Sequence, residues 1–230
     1  MTEHVTEPVL YRWPANAAFG RAVHKTKFYE HGHVRTALRE KFIDDIQRIT
    51  WAYKLAEDTV RLRGTAAVPE IQVFSVETKG ADVSDEVLAA IDRTVHFPII
   101  FEVASSQRVR MAAAQKTLDG RTPRIATYFT TAWQPADAPR RPLPTALDLP
   151  SLYEALLASL LPVATRVGET VSEATDRLDR ARKLQREIAA LEKKLRTEPQ
   201  LNRKIDLRRQ LKDREAAVAE LTDTAPSTRG

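Results

Sequence analysis

The sequence predicts an α+β protein, in which a small mixed β-sheet with packed helices is followed by an antiparallel helical hairpin of coiled-coil type. Three observations lead to this prediction. Helix-like and strand-like patterns alternate over residues 1–134, five of the thirteen prolines fall between Gln134 and Pro150, and leucines recur at heptad spacing near the C-terminus. The chain has 230 residues, 43% of them hydrophobic, which is enough for one or two domains with buried cores.

Two helices are predicted in the head, which we define as residues 1–134. In the first, residues 34–60, apolar side chains recur at spacings of four, four, three and four, which places them on one face of a helix. They are Leu38, Phe42, Ile46, Ile49 and Tyr53. The second helix follows Ser84, which we expect to cap it, and ends before Pro98.

Four strands are predicted from short runs rich in β-branched and aromatic residues. They run from Ile71 to Val76, from Ile99 to Val103, from Val109 to Lys116 and from Ile125 to Trp133. A helix connects the first two, which should therefore be parallel, whereas turns at Ser105–Gln107 and at Asp119–Gly120 predict antiparallel pairing for the rest. The order of elements is α-β-α-β-β-β.

The C-terminal part is divided by prolines and capping motifs. We predict a proline-rich linker, a short helix, a basic helical hairpin and a disordered tail, over residues 135–150, 151–168, 170–222 and 223–230 respectively. Ser151–Glu154 and Thr170–Glu173 have the capping-box pattern of a helix start. Pro199 interrupts the heptads and favours two antiparallel helices over one rod.

Composition excludes several classes of chemistry. The chain has no cysteine, which removes disulfides, thiolate metal sites and a cysteine nucleophile. It has no glycine-rich phosphate loop and no Gly-x-Ser-x-Gly motif, so we expect neither nucleotide hydrolysis nor serine hydrolase activity, and no cofactor. No secretory signal and no apolar run of transmembrane length is present, so we expect a cytoplasmic protein without a membrane partner.

Charge is distributed unevenly along the chain. The formal net charge is +5, but residues 177–214 contain fourteen basic and six acidic residues, a net of +8, which leaves −3 for the remainder. This excess predicts a surface for a protein partner or for nucleic acid. We expect six residues to carry the binding: Lys193, Lys194, Arg203, Lys204, Arg208 and Arg209.

Several stretches resemble the bacterial family called domain of unknown function 4391. They include Lys27–Tyr29, Tyr53–Leu55, Ile71–Phe74, Pro98–Glu102 and Glu198–Leu207, the last with Leu201 where the family usually has an aromatic residue. The resemblance carries no catalytic residues. It implies an association with restriction or phage-defence systems, because genes of this family often lie near those of helicases and DNA methyltransferases.

A metal-dependent nuclease is an alternative that the residues suggest. Glu77, Thr78 and Lys79 have the carboxylate-x-Lys spacing of nucleases that hold Mg²⁺ and polarise a water. Glu102 should lie near the same end of the neighbouring parallel strand, where α/β proteins often bind ligands. Three-residue patterns are common by chance, so surface positions or salt bridges are the favoured interpretation of Glu77, Lys79 and Glu102.

His31 and His33 are candidate ligands for a metal ion, with His24 and Glu30 nearby. Zinc needs three or four ligands on a rigid frame, and these residues lie in a predicted loop, so ordinary loop histidines are favoured.

The preferred hypothesis is a non-enzymatic adaptor that docks through the basic hairpin onto a DNA-processing partner of helicase or methyltransferase type. The alternatives are the Mg²⁺-dependent nuclease and a nucleic-acid binder that is indifferent to base sequence, because residues 177–214 contain no aromatic side chain for stacking. A second copy of the chain, packed on the leucine seam, is a further candidate partner.

Overall fold

A computed structural model describes the molecule over residues 10–29, 35–117, 123–162 and 165–223. The chain forms two compact units that divide between Pro162 and Val163. The first contains a mixed sheet with helices, and the second contains the long C-terminal helices, which confirms the α+β class. The predicted turn at Asp119–Gly120 and residues 224–230 of the predicted tail lie outside the described residues.

The described part of the first unit is built from strands and helices of two to eleven residues. Its strands are β1 (Leu10–Tyr11), β2 (Ala18–Ala22), β3 (Ile46–Ala56), β4 (Glu70–Thr78), β5 (Ile99–Ser105), β6 (Arg108–Thr117), β7 (Arg124–Thr130), β8 (Gln134–Pro135) and β9 (Arg140–Arg141). Its helices are α1 (Thr26–Tyr29), α2 (Thr36–Asp45), α3 (Glu57–Val60), α4 (Asp85–Thr94) and α5 (Leu149–Ala158), with a 3₁₀ turn at Ala15–Ala17. The second unit contains α6 (Val171–Thr197) and α7 (Leu201–Thr222).

The main sheet has the strand order β2-β3-β4-β5-β6-β7, and β8 pairs with β6. Strands β4 and β5 are parallel and are joined through α4, whereas the other neighbours in the sheet are antiparallel. The predicted parallel pair and the antiparallel strands after it are therefore confirmed. The four predicted strands correspond to β4, β5, β6 and β7.

The single helix predicted over residues 34–60 is wrong over Ile46–Ala56, which form β3, although the chain is helical again in α3. The chain is helical in α2 and then enters β3, which pairs along its length with β4 and also with β2. A register shift between Ile46 and Arg48 explains the error, because a bulge reverses the side-chain alternation. Ile46 and Ile49, three residues apart, thus both reach the core, as they would on a helix. Strand β2, which was not predicted, is fully exposed.

The core lies on both faces of the sheet. One face joins β4 and β5 to α1, α2 and α4, around buried Phe42, Phe74 and Phe101. Alternate residues of the same strands, such as Ile71 and Ile100, are equally buried on the other face, where α5 packs against β4 and β6. Coverage of both faces explains why apolar residues occur at neighbouring positions in these strands, such as Val73 with Phe74 and Ile99 with Ile100.

The predicted helix after Ser84 is confirmed as α4, but the predicted side-chain cap is not. The main-chain carbonyl of Ser84 accepts hydrogen bonds from the N–H groups of Val87 (3.0 Å) and Leu88 (3.3 Å). Its hydroxyl is buried and has no hydrogen-bond partner among the described residues. The helix start is therefore satisfied through the backbone.

The segment predicted as a proline-rich linker, residues 135–150, is extended but pairs with the head. Pro135 in β8 is opposite Arg108 of β6, and β9 runs parallel to β1. Proline is tolerated in such positions because an edge strand has no obligatory donor on its outer side. The segment and α5 fall in the first compact unit, so the division of the chain lies after them.

The capping box predicted at Ser151 begins three residues earlier. Helix α5 starts at Leu149, and the carboxylate of Asp148 accepts from the Ser151 N–H at 2.9 Å. Ser151 therefore occupies the third helical position, with its hydroxyl accepting from the Asp148 N–H at 3.2 Å. An aspartate at the N-cap and a proline in the first turn make a strong helix start.

Helices α6 and α7 contain 27 and 22 residues and pack against each other. They are antiparallel, because the beginning of α6 contacts the end of α7: the Arg177 guanidinium donates to the Leu221 carbonyl at 2.6 Å. The helical hairpin is thereby confirmed. In the described part of the chain, no helix combines the length and the hydropathy that crossing a membrane requires.

Candidate functional site on the C-terminal hairpin

The hairpin begins with a complete capping box. The Thr170 hydroxyl accepts from the Glu173 N–H at 3.2 Å, and the Glu173 carboxylate accepts from the Thr170 N–H at 2.9 Å. The Thr170 N–H, and the Thr170 hydroxyl at 2.8 Å, donate to the Glu173 carboxylate and lower its pKa, because they favour its charged form. The capping box predicted at Thr170 is confirmed, and it fixes the direction in which α6 leaves the preceding loop.

Two arginines close the base of the hairpin. Arg177 is 6% exposed and binds the Glu169 carboxylate through two bonds of 2.6 and 2.8 Å, while also donating to α7. Arg166 donates to the carbonyl of Glu220 and, at 3.1 Å, to that of Asp223. Both cations lie at the negative C-terminal end of α7, where positive charge is favourable. Arg177 consequently serves the structure, although it belongs to the basic segment.

The seam between the helices follows the predicted heptads. Its aliphatic side chains are all half-buried: Leu184, Ile188, Leu191, Leu195, Leu207, Leu211, Val218 and Leu221. A cross-helix ion pair between Arg214 and Glu187, at 2.9 Å, supplements the apolar contact. Two helices alone cannot surround a seam, and its half-burial follows from this geometry.

Positive charge is concentrated in the distal part of the hairpin. Residues 180–212 contain twelve basic and four acidic residues, a net of +8, whereas the full span of α6 and α7 is only +4. The full span adds two basic residues and six acids near the base, the acids being Glu173, Asp176, Asp179, Asp213, Glu215 and Glu220. The hairpin is therefore polarised, with an acidic end at the base, where residues 171–179 and 213–222 have a net charge of −4, and a cationic end at the turn.

The six predicted binding residues lie in this distal part. Five of them are exposed, and Lys204 is half-buried beside the seam. Among the residues that the structure describes, none of the six has a carboxylate within 4.0 Å. The ion pairs of the hairpin are made by Arg177, Arg182 and Arg214 instead. The six charges are therefore available to an external anion.

These six residues do not form one patch. Lys194 and Arg203 line the same open cavity of about 380 Å³ at the turn, together with Glu198 and Asp206. Arg208 and Arg209 follow Arg203 by five and six residues on α7, which directs them away from that cavity. The structure thus distributes the cations around the end of the hairpin.

Two apolar residues that the sequence analysis did not select stand out on the same helix. Leu201 and Ile205 are 69% and 55% exposed, although their neighbours Leu207 and Leu211 are turned toward α6. Their spacing of four residues, out of phase with the seam, is the signal that could have identified them.

The proposed nuclease residues make separate contacts in the head. Glu102 accepts from the Trp13 indole at 2.7 Å and from both terminal nitrogens of Arg140, at 2.6 and 3.3 Å. Glu77 forms an ion pair of 3.3 Å with Arg48. The strand register places the two glutamates on one face of the sheet, but each already has a cationic partner.

Lys79 takes part in a different contact. Its ammonium donates to the Ile43 carbonyl at 2.7 Å, and the Lys25 ammonium donates to the same carbonyl at 3.4 Å and to that of Ile46 at 3.1 Å. The two lysines therefore cap the C-terminal end of α2. Burial, with the nearby charge of Lys79, lowers the pKa of Lys25.

No metal-binding group is found within the described ranges, where no three His, Asp or Glu side chains are placed to hold an ion. His31, His33 and Glu30 lie outside these ranges. His24 borders a groove of about 250 Å³ at the end of β2, beside Lys25 and Arg48. Two cations bordering the groove do not suit a metal ion.

A closed ionic cluster lies under the C-terminal end of α4. Lys116 and Asp92 are fully buried and form an ion pair of 2.5 Å, and the Tyr128 hydroxyl donates to Asp92 at 2.7 Å. The Lys116 ammonium also donates to the carbonyls of Asp92, Val95 and Phe97, at 2.7 to 2.9 Å. The cluster is buried, and its groups bond to one another and to the backbone around them, which makes it a structural element.

Burial determines the titration of this cluster. Desolvation raises the pKa of the Asp92 carboxyl and lowers that of the Lys116 ammonium, even though each charge favours the other. Desolvation and the neighbouring carboxylate also raise the pKa of the Tyr128 phenol.

Fold and charge together define the class of protein: an α+β head with a C-terminal helical hairpin whose distal end is basic. The chain belongs to the family Domain of unknown function (DUF4391), whose family model matches residues 12–218. This match confirms the resemblance inferred from the sequence and spans the head and most of the hairpin. No curated protein and no solved structure matches the chain.

Proposed function

We propose that this protein is a non-enzymatic adaptor that docks onto a partner protein through the distal end of the α6–α7 hairpin. The observation that carries the proposal is the net charge of +8 over residues 180–212, together with six cations that have no carboxylate within 4.0 Å among the described residues. Unpaired charges of one sign raise the rate of encounter with an oppositely charged surface and select against wrong partners.

The partner that we propose belongs to a DNA-processing system of restriction or phage-defence type, such as a helicase or a DNA methyltransferase. This part of the proposal is supported by the family resemblance, which implies such an association. An adaptor also agrees with the contacts in the head, since Glu102 and Lys79 serve to hold neighbouring segments in place.

The adaptor is tested by recovering partners with a tagged full-length chain from its native cells and identifying them by mass spectrometry. The test variant reverses Lys193, Lys194, Arg203 and Lys204 to glutamate. Its control reverses four head residues, Arg21, Arg35, Arg61 and Arg124, which gives the same change in net charge. We expect the hairpin variant to lose a partner that the control retains, and then to lose its binding to that purified partner. Equal recovery by both variants would contradict the proposal.

A nucleic-acid binder that ignores base sequence is the second candidate, and the same unpaired cations support it. It predicts affinity for duplex DNA that falls steeply with salt, because binding to phosphates releases counterions. Fluorescence anisotropy of a labelled duplex at two salt concentrations measures this. Affinity that is absent, or independent of salt, rules the candidate out.

The Mg²⁺-dependent nuclease is separated from both by incubating the purified chain with DNA and Mg²⁺. Cleavage that is lost in Glu77→Gln and in Lys79→Met would support the nuclease in place of the adaptor. We expect no cleavage, because both glutamates are already bound by arginines.

A further inference from the structure

Helix α7 has an exposed stripe that is distinct from its seam. Leu201, Ile205, Arg208 and Lys212 follow one another at spacings of four, three and four residues, which places them along one face of the helix. All four are exposed, whereas the seam residues Leu207, Leu211 and Val218 are half-buried against α6. The stripe is apolar near the turn and basic toward the middle of the helix.

The apolar part of the stripe indicates what kind of surface covers it. Leu201 and Ile205 leave most of their side chains in water, at 69% and 55% exposure, and burial of aliphatic surface is favourable by about 25 cal/mol per Å². A phosphate backbone gains nothing from aliphatic side chains, since it binds through its charges. A protein surface uses both the apolar and the basic part.

The positive charge of the distal hairpin indicates that the partner surface is acidic. A second copy that packed its distal end on the first would bring the +8 of its residues 180–212 against the same charge, which opposes self-association through this face. The stripe has the i, i+4, i+7, i+11 pattern by which one helix recognises another in a groove or in a coiled coil. The complementary surface is a helix with aliphatic residues on one face and carboxylates beside them.

We propose that the Leu201–Ile205–Arg208–Lys212 face of α7 binds an acidic amphipathic helix of the partner protein. The aliphatic side chains of that helix cover Leu201 and Ile205, while its carboxylates pair with Arg208 and Lys212. This inference rests on the proposed adaptor function and adds the chemistry of the docking element.

The test uses the full chain and a labelled synthetic helix of four heptads, with leucine at the core positions and glutamate at the flanking positions. Binding is measured by fluorescence anisotropy at physiological ionic strength. We expect the Arg208→Glu, Lys212→Glu double variant to bind at least about tenfold more weakly than the unaltered chain. The Leu201→Ser, Ile205→Ser double variant should weaken binding by a similar factor, and a peptide with lysine in place of glutamate should not bind.

Two controls match these variants. Lys183→Glu with Arg186→Glu makes the same change in net charge on the exposed side of α6, and Leu147→Ser removes a 92% exposed leucine of the first unit. Both should bind the peptide within about twofold of the unaltered chain. The substituted positions are exposed, and circular dichroism of each variant verifies that the helices are retained.

The inference is overturned if the peptide does not bind the unaltered chain, or if the α6 control weakens binding as much as the α7 reversal. It is also overturned if the serine double variant binds the peptide normally, or if sedimentation shows that the chain dimerises through Leu201 and Ile205. If the native partner is lost on reversal of Lys193, Lys194, Arg203 and Lys204 but these peptide results are negative, the adaptor stands and the helix inference falls. Binding of anionic vesicles or of duplex DNA through Leu201 and Ile205 would also contradict the inference. The ligand of this face would then be a lipid surface or a nucleic acid and not an acidic helix.

Discussion

The substitution Lys116→Met tests the buried cluster that holds α4 on the sheet. Methionine has nearly the same length as lysine and fits the same space, but it has no charge and no donor. The change leaves the Asp92 carboxylate fully buried, with the Tyr128 hydroxyl as its remaining donor. It also leaves the carbonyls of Val95 and Phe97 without the ammonium that they accept from.

The expected loss of stability follows from the contacts that Lys116→Met removes. Removal of one partner from a buried ion pair costs about 3–5 kcal/mol, because the other charge remains uncompensated. Buried carbonyls left without a donor add to this cost, by about 1–3 kcal/mol each when they cannot relax. Protonation of the carboxyl recovers part of the loss. We therefore expect the free energy of unfolding to fall by about 4 kcal/mol at neutral pH, a large part of the 5–15 kcal/mol typical of a domain.

Urea unfolding followed by circular dichroism measures this loss. Lys41→Met is the matched control, because Lys41 forms an ion pair of similar length, 2.7 Å, with Glu86 in solvent. The control should leave the unfolding midpoint nearly unchanged, since exposed pairs contribute little. If Lys116→Met is so unstable that it does not fold, the double variant with Asp92→Asn removes the stranded charge and should unfold at higher urea. A single variant as stable as the unaltered chain, or a double variant no better than the single, would refute the reasoning.

The same variant should respond to pH in a defined direction. Burial raises the pKa of Asp92, and loss of Lys116 removes the charge and the hydrogen bond that oppose this rise. The folded variant therefore holds a proton that the unfolded chain releases, and its stability falls as pH rises above the ordinary carboxyl pKa of about 3.9. Unfolding measured at several pH values should show the deficit growing from acid to neutral pH. A deficit independent of pH would contradict this assignment.

Three further predictions concern the arginines and the hairpin cap. Arg177→Met removes the guanidinium that lowers the pKa of the Glu169 carboxyl. The unaltered chain loses the stability of this pair as pH falls through that lowered pKa, so the free energy of unfolding of the variant should depend less on pH in the acid range. Arg140→Ala leaves Glu102 without its cationic partner and should lower the free energy of unfolding by about 1–2 kcal/mol. Proteolysis of the adjoining proline-rich segment should be faster, and unchanged proteolysis would contradict the role of this ion pair in holding the segment. Thr170→Ala should accelerate hydrogen exchange in the first turn of α6, whereas Thr170→Ser should not.

Local patterns predicted the elements whose side chains alternate regularly. Strands β4 and β5 are short runs rich in β-branched and aromatic residues, and α4 and α6 have clear periodicity, so their type and order followed from the sequence. Strand β3 did not, because its bulge gives Ile46 and Ile49 the spacing of a helix. The exposed strand β2 has no apolar pattern to detect.

The candidate site also has features that the sequence predicted and others that it did not. The excess of basic residues and the heptads were visible in the sequence, and so was the break at Pro199. The sequence did not predict a site at Leu201 and Ile205, because their spacing of four residues out of phase with the heptads does not by itself show whether they face a neighbour or the solvent. That distinction requires the phase of α7 relative to α6.

The sequence by itself determined the succession of most elements, the division of charge along the chain and the hairpin, since these depend on residues close together in the chain. The tertiary structure alone decided which charges are paired. Arg177 and Arg214 have carboxylate partners, whereas Arg208 faces outward, and Glu102 is held by an arginine 38 residues away. An ion pair depends on distance in space, and neither composition nor spacing along the chain contains that distance.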